Sequence, residues 1–224
     1  MTETTKIVII SINVGGGMQR HEKIKKMRQA IRENDADFVL VQETKLEAKK
    51  ANSWARNFHQ EYLTNVTCKS RTLIEEEYRQ RKKKELMIEG LNEEEAEENI
   101  NVNKASTNGG LAFLAKKVWA DKLLRWQTDT KEQRYAIAHI DFDENTILLI
   151  INVYAPAEGP SKSNPFFQRL TKTVTEIKER YKGERKKVEI IIGGVLQFLR
   201  RRRQRPPQDG ERASEVQRGQ RATT

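Results

Sequence analysis

The chain has 224 residues, 36% of them hydrophobic and 33% charged, and a formal net charge of +10; that length suits one sizeable α/β domain and is short for two. Its single cysteine, Cys68, excludes an internal disulfide framework and fits a reducing compartment. With no apolar run near the ~20 residues of a membrane span and no basic-then-apolar start of a secretory signal, the sequence predicts a soluble intracellular protein, nuclear or cytoplasmic, with no membrane partner.

Lys6–Val14 is rich in Ile and Val and runs into Gly15-Gly16-Gly17, which predicts a buried strand followed by a flexible loop. Ile24, Met27 and Ile31 then recur at helical spacing, with Lys23, Lys25, Lys26 and Arg28 on the wet face. Asp37–Gln42 reads as a second buried strand, so the span predicts a strand–helix–strand crossover and a layered α/β domain. From about 72 to 100 the composition shifts to charge blocks, Glu75–Glu77, Arg81–Lys84 and Glu93–Glu98. That stretch is expected to be a solvated helical or disordered insertion.

Asn108-Gly109-Gly110 punctuates the chain before a strand at Leu111–Ala115. Arg134–Asp141 alternates, Asp143-Glu144-Asn145 turns, and Thr146–Tyr154 is strongly apolar, which predicts an antiparallel hairpin. Ser163-Asn164-Pro165 resembles an N-cap with proline in the first turn, followed by the stripe Phe166, Phe167, Leu170, Val174, Ile177 and Tyr181 and a stop at Gly183. Val188–Ile192 is expected to be another buried strand, ending at Gly193-Gly194. Mixed sheets covered by helices are the predicted architecture.

Polar residues gather where the predicted strands end, the usual place for sites in layered α/β folds. Asn13 closes the first strand, Gln42-Glu43-Thr44 the second, and Asn152 and Tyr154 the hairpin. Each alone has a structural explanation: a turn cap for Asn13, a solvated Glu43, a core Tyr154 with a wet hydroxyl.

In this order, however, Ser-Ile-Asn-Val-Gly-Gly, Val-Gln-Glu-Thr-Lys, Asn-Gly-Gly-Leu-Ala-Phe, Ile-Asn-Val-Tyr-Ala-Pro and Ile-Ile-Ile-Gly-Gly resemble successive motifs of the endonuclease/exonuclease/phosphatase superfamily. The resemblance covers residues 6 to about 194 apart from the charged insertion, and Val-Gln-Glu-Thr-Lys leans toward the endonuclease domains of LINE retrotransposons. It implies a four-layer α/β sandwich, two mixed β-sheets flanked by helices, incomplete at the C-terminus. It further implies Mg²⁺-dependent phosphodiester hydrolysis of DNA, with Mn²⁺ as the alternative cation. By the same resemblance Glu43 is the metal-binding carboxylate, Asn13 and Tyr154 are catalytic partners at the phosphate, and Asn152 contacts substrate. Ala157 stands where family members commonly carry Asn.

The pattern then breaks. The family's Gly-Asp-Phe-Asn is replaced after Gly193-Gly194 by Val195-Leu196-Gln197-Phe198, and neither Val nor Leu can bind a metal or accept a proton. Residues 195–224 hold eight Lys/Arg against three Asp/Glu, and the other 194 residues 34 against 29. The first part is therefore only mildly basic for its size. The tail lacks apolar periodicity and is expected to be disordered. With permitted codons, deleting one nucleotide at codon 195 restores Asp-Phe-Asn, so a frame shift is expected. The late Asp-His pair of the family is missing too; losing a general base costs ~10²–10⁴-fold in rate. His139, on an alternating strand, reads as a packed or surface residue. The sequence thus predicts a degenerate or inactive endonuclease domain. Two alternatives stay open: a phosphoinositide-type phosphatase of the same fold, and a non-enzymatic nucleic-acid-binding or scaffolding protein using Arg200–Arg203 and Arg205.

Overall fold

Strand alternation decides how this chain stacks its layers. The computed structural model describes residues 6–16, 18, 20–69, 71–102, 109–129, 132–156 and 160–195; Gly17, Asn108, Ala157 and the tail from 196 onward lie outside them. β1 (Ile9–Asn13) and β2 (Phe38–Gln42) pair in parallel, Ile9 beside Phe38 and Asn13 beside Gln42. α1 (His21–Glu33) connects them and buries Ile24, Met27 and Ile31. α2 (Ala48–Ala55) and β3 (Tyr62–Thr67) follow. The charged stretch forms α3 (Arg71–Ile88) and α4 (Glu93–Glu98), and β4 (Leu111–Lys116) comes after it. The first sheet has the order β1-β2-β4-β3, with β4 antiparallel to both neighbours.

A short 3₁₀ helix (Lys117–Lys122) leads into the second sheet. There β5 (Leu123–Thr128), β6 (Tyr135–Asp143) and β7 (Thr146–Tyr154) run antiparallel to one another. α5 (Pro160–Gly183) then carries the chain back, and β8 (Lys187–Val195) lies parallel to β7 at the end of the order β5-β6-β7-β8.

Val39 and Val41 face α1 and α2, whereas Phe38 and Leu40 face the second sheet. In β7, Leu148 and Ile150 face the first sheet, and Ile147, Leu149 and Ile151 face α5. Three apolar cores therefore separate four layers: helices, sheet, sheet, helix. Between the sheets Phe113 meets Phe38 edge-on at 6.4 Å and Trp126 at 4.8 Å. Fully apolar runs such as β2 and β7 are what strands need when both faces are covered.

Several sequence expectations are corrected. β1 and β8 are not fully buried; each is the edge of its sheet, with Ile191 37% and Ile192 51% exposed. An Ile/Val-rich run signals strand but does not report whether its second side is covered. β8 also continues through Gly193 and Gly194 to Val195. α5 starts before Ser163 and holds Pro165 inside it. Proline at a first helical position needs no amide hydrogen, so Pro160 fills the starting role expected of Pro165.

α3 and α4 bury only Ile74 and Ala96 among their described side chains, and neither belongs to the three apolar cores. They are tied to each other by exposed ion pairs, Arg79 with Glu97 at 2.6 Å and Lys83 with Glu93 at 2.6 Å. Such pairs contribute roughly 0–1 kcal/mol each. Asn92 and Glu95 form a capping box at the start of α4. No described helix is long and apolar enough to cross a membrane.

Candidate functional site

The parallel pairing of β1 and β2 brings Asn13 and Gln42 to the same end of the first sheet. One residue further, Glu43 adopts φ +56° and Lys45 φ +50°, left-handed backbone that non-glycine residues avoid at a cost. Backbone hydrogen bonds hold this turn: Gly16 N–H donates to Glu43 O at 2.7 Å, Thr44 N–H to Gly110 O at 3.1 Å, and Lys45 N–H to Gly109 O at 2.9 Å. The turn aims the Glu43 side chain at the mouth between the sheets. Gly110, at φ +83°, is required there, because a Cβ would lie 2.6 Å from Thr44 Oγ1.

β7 delivers Tyr154 from the other sheet. Its hydroxyl donates to Glu43 Oε1 at 2.7 Å, and Asn13 Nδ2 donates to the same oxygen at 3.4 Å. Asn13 also caps its own turn, accepting from Gly15 N–H at 2.9 Å. Asn13, Glu43 and Tyr154 are thus brought together from three strands of two sheets. Glu43 Oε2 accepts no hydrogen bond among the described residues, which leaves its lone pairs available to a ligand.

Asn152, expected to contact substrate, has no exposed surface. Its Oδ1 accepts from Gln42 Nε2 at 2.8 Å, and its Nδ2 donates to Val41 O at 3.2 Å and Ala112 O at 2.9 Å. Both of its amide hydrogens are spent joining the two sheets directly beneath the cleft. It is a positioning residue, because a group with no accessible surface and no spare donor cannot reach a substrate.

Two further residues support the site in roles that the sequence does not assign. Gln42, buried, connects Asn152 to Ser11 Oγ, to which it donates at 3.2 Å. The Arg134 guanidinium lies 5.6 Å from the centre of the Tyr154 ring, and Arg134 O accepts from Tyr154 N–H at 2.8 Å. A cation over an aromatic face is an attractive arrangement that fixes the ring. Its only sequence signal is a charge just ahead of a strand, which is unremarkable.

β8 ends at the same cleft. The parallel register sets Gly193 beside Asn152, Gly194 beside Val153 and Val195 beside Tyr154. A Cβ on Gly194 would sit 2.0 Å from Val153 O, so the strand closes on β7 only with glycine there. Val195, half-buried, therefore occupies the place next to Tyr154 where the family motif has Asp. His139 lies elsewhere: it is fully buried between the second sheet and α5, its Nδ1 3.0 Å from Tyr181 Oη.

Among the described residues no three His, Cys, Asp or Glu cluster to hold a metal. Among the described residues the cleft offers one carboxylate, Glu43, beside neutral oxygens, a donor set that suits a hard cation better than a soft one.

A layered α/β sandwich with an oxygen-rich cleft at the strand ends defines the class of protein. Residues 10–220 match the Endonuclease/Exonuclease/phosphatase family, and the chain belongs to that family. Among solved structures it is similar to the 3' phosphatase NExo from Neisseria, solved bound to product DNA hairpin, at TM-score 0.51 and 14% identity over 86% of this chain and 58% of that one. It is also similar to humanized TDP2 from D. rerio, at TM-score 0.50 and 12% identity over 86% of this chain and 63% of that one. AP endonuclease LMAP from Leishmania major is a weaker match, at TM-score 0.46 and 14% identity over 67% and 40%. In all three the chain spans less than two thirds of the solved length. No curated protein sequence matches at a significant level.

Proposed function

We propose that the chain carries the early half of a divalent-cation-dependent phosphodiesterase site of the retrotransposon-endonuclease type, with DNA as the ancestral substrate and hydrolysis lost or strongly reduced. One observation carries the reading: the Tyr154 hydroxyl from one sheet and the Asn13 amide from the other both bond to one oxygen of Glu43, and the second accepts no hydrogen bond among the described residues. Glu43 would hold the cation, Mg²⁺ or Mn²⁺. Such a cation supplies neutralising charge at the phosphate and the leaving oxygen. Asn13 and Tyr154 supply donors for phosphate oxygens, and Arg134 keeps the Tyr154 ring in place.

The reaction lacks a partner beside Tyr154. Val195 has no lone pair with which to take a proton or ligate a cation, and the run Val195-Leu196-Gln197-Phe198 fits a one-nucleotide shift from Asp-Phe-Asn. DNA is favoured over inositol phospholipids by the form of Val41-Gln42-Glu43-Thr44-Lys45 and by the DNA product bound to the Neisseria fold neighbour.

The test pairs supercoiled plasmid with phosphatidylinositol phosphate vesicles, each with Mg²⁺ or Mn²⁺. The expected result is a gain in DNA affinity on adding the cation, above the binding seen in EDTA, that Glu43→Gln removes, with nicking ~10²–10⁴-fold or more below that of a complete site. Phosphate release from the vesicles, or a DNA affinity that gains nothing from the cation in the unsubstituted chain, would reject the reading. For the frame shift, genomic codons 194–198 that cannot encode Asp-Phe-Asn in a neighbouring frame would reject that part.

A further inference from the structure

α1 holds most of the positive charge that the first 194 residues have to spare. Arg20–Glu33 carries six Lys/Arg against two Glu, whereas residues 1–194 together carry 34 against 29. Four of its side chains, His21, Lys25, Arg28 and Arg32, recur at spacings of four, three and four residues and so share one face of the helix. They line one wall of a groove of about 390 Å³, closed on the far side by Asn57 just beyond α2.

These cations are poorly neutralised. Lys25 and Arg28 make no hydrogen bond or ion pair among the described residues. Arg32 reaches Glu61 at 3.4 Å, with both side chains half-exposed or more. Glu33, the carboxylate in the lining, already accepts from Gln29 Nε2 at 2.7 Å. The three cations, Lys25, Arg28 and Arg32, rise ~4.5–6 Å apart along the helix and cover ~10 Å, with His21 one turn ahead of them. The stripe begins at His21, shortly after the Gly15–Gly16 turn that flanks Asn13, and leads away from the cleft.

We infer that this groove binds the phosphodiester backbone of a nucleic acid, guiding a strand along the flank of α1 that faces Asn57 and away from the Glu43 cleft. The regular row of cations matches a regularly charged polymer, and its start near the cleft gives such a strand a continuous path. The direction of that path rests on the function proposed above; the binding itself does not.

The experiment measures anisotropy of labelled single-stranded and duplex DNA on the full chain, in EDTA, across a salt series. No hydrolysis occurs there and no cation is needed at Glu43, so the outcome is independent of the cleft reading. The triple variant Lys25→Gln/Arg28→Gln/Arg32→Gln is compared with Lys172→Gln/Lys178→Gln/Lys182→Gln on the exposed face of α5. Removing three phosphate contacts should lower the slope of log K against log salt by about 2 to 3, with the α5 variant near wild type. Should the triple variant melt early, Lys25→Gln alone should lower the slope by about 0.7–0.9. An unchanged slope, an equal effect from the α5 variant, or equally strong binding of polyglutamate would overturn the inference. A preference between single strand and duplex assigns which nucleic acid the groove takes.

Discussion

Asn152 shows how a residue next to a site can serve it without touching a ligand. It ties Gln42, Val41 and Ala112 together across the two sheets, so Asn152→Ala removes three buried hydrogen bonds, one from the Gln42 amide and one to each carbonyl. Each such loss costs about 1–3 kcal/mol, and urea denaturation should show the variant destabilised by at least that amount. Tyr154→Phe removes only a hydroxyl at the cleft mouth and should change stability far less, which the same measurement checks. His139 adds a pH dependence. Burial, followed by the charges of Arg125 and Arg180, pushes its pKa down from 6.5 to about 4. The unfolded chain then takes up this proton at a higher pH than the folded one, so stability from the neutral ring is complete above about pH 6.5 and is lost as pH falls toward 4. Thermal melts of His139→Gln should show less of that acid-side decline; an identical pH profile would rule this out. Asn13, Glu43 and Tyr154 are legible in the sequence because each sits in a recognisable local run. Gln42 and Arg134 stay hidden because their partners, Asn152 and the Tyr154 ring, are distant in the chain or on another strand.

At the scale of elements, periodicity reveals the strands that are buried on both faces and the helices with a clean stripe. β2, β4, β7 and α1 are all visible in this way. β3 (YLTNVT) and β5 (LLRWQT) are not, since each mixes polar and apolar residues over six positions and sets no clear period. α2 is only eight residues long, buries Ala51 and Trp54, and gives a similarly weak signal. Turn chemistry carries more information at the site. Gly110→Ala would force a Cβ to 2.6 Å from Thr44 Oγ1 at φ +83°, and the combined steric and backbone cost is expected to reach about 2–4 kcal/mol. Urea denaturation should report that loss, and a variant as stable as wild type would mean that the Glu43 turn is less tightly held against β4 than the geometry requires.

The whole molecule is a four-layer sandwich whose two sheets both present an edge strand, β1 and β8, with no second strand partner among the described residues. Exposed edges that carry Ile191 and Ile192 are templates for pairing with another chain. Concentration-dependent association is the expected behaviour, and Ile192→Lys should reduce it in light scattering without lowering the melting temperature. The four layers can be anticipated from sequence because the motifs that carry the family resemblance lie on strands of both sheets. The openness of those edges cannot, since it depends on what lies beside a strand and not on what it contains.

Paramagnetic broadening by Mn²⁺ of backbone amide signals tests most directly whether three strands build one cation-binding cleft. Broadening is expected to centre on Asn13, Gly15, Glu43, Gly110 and Tyr154 at low Mn²⁺ and to vanish in Glu43→Gln while the remaining spectrum is unchanged. Broadening centred elsewhere, or the same pattern in the Glu43→Gln protein, would contradict a shared cleft.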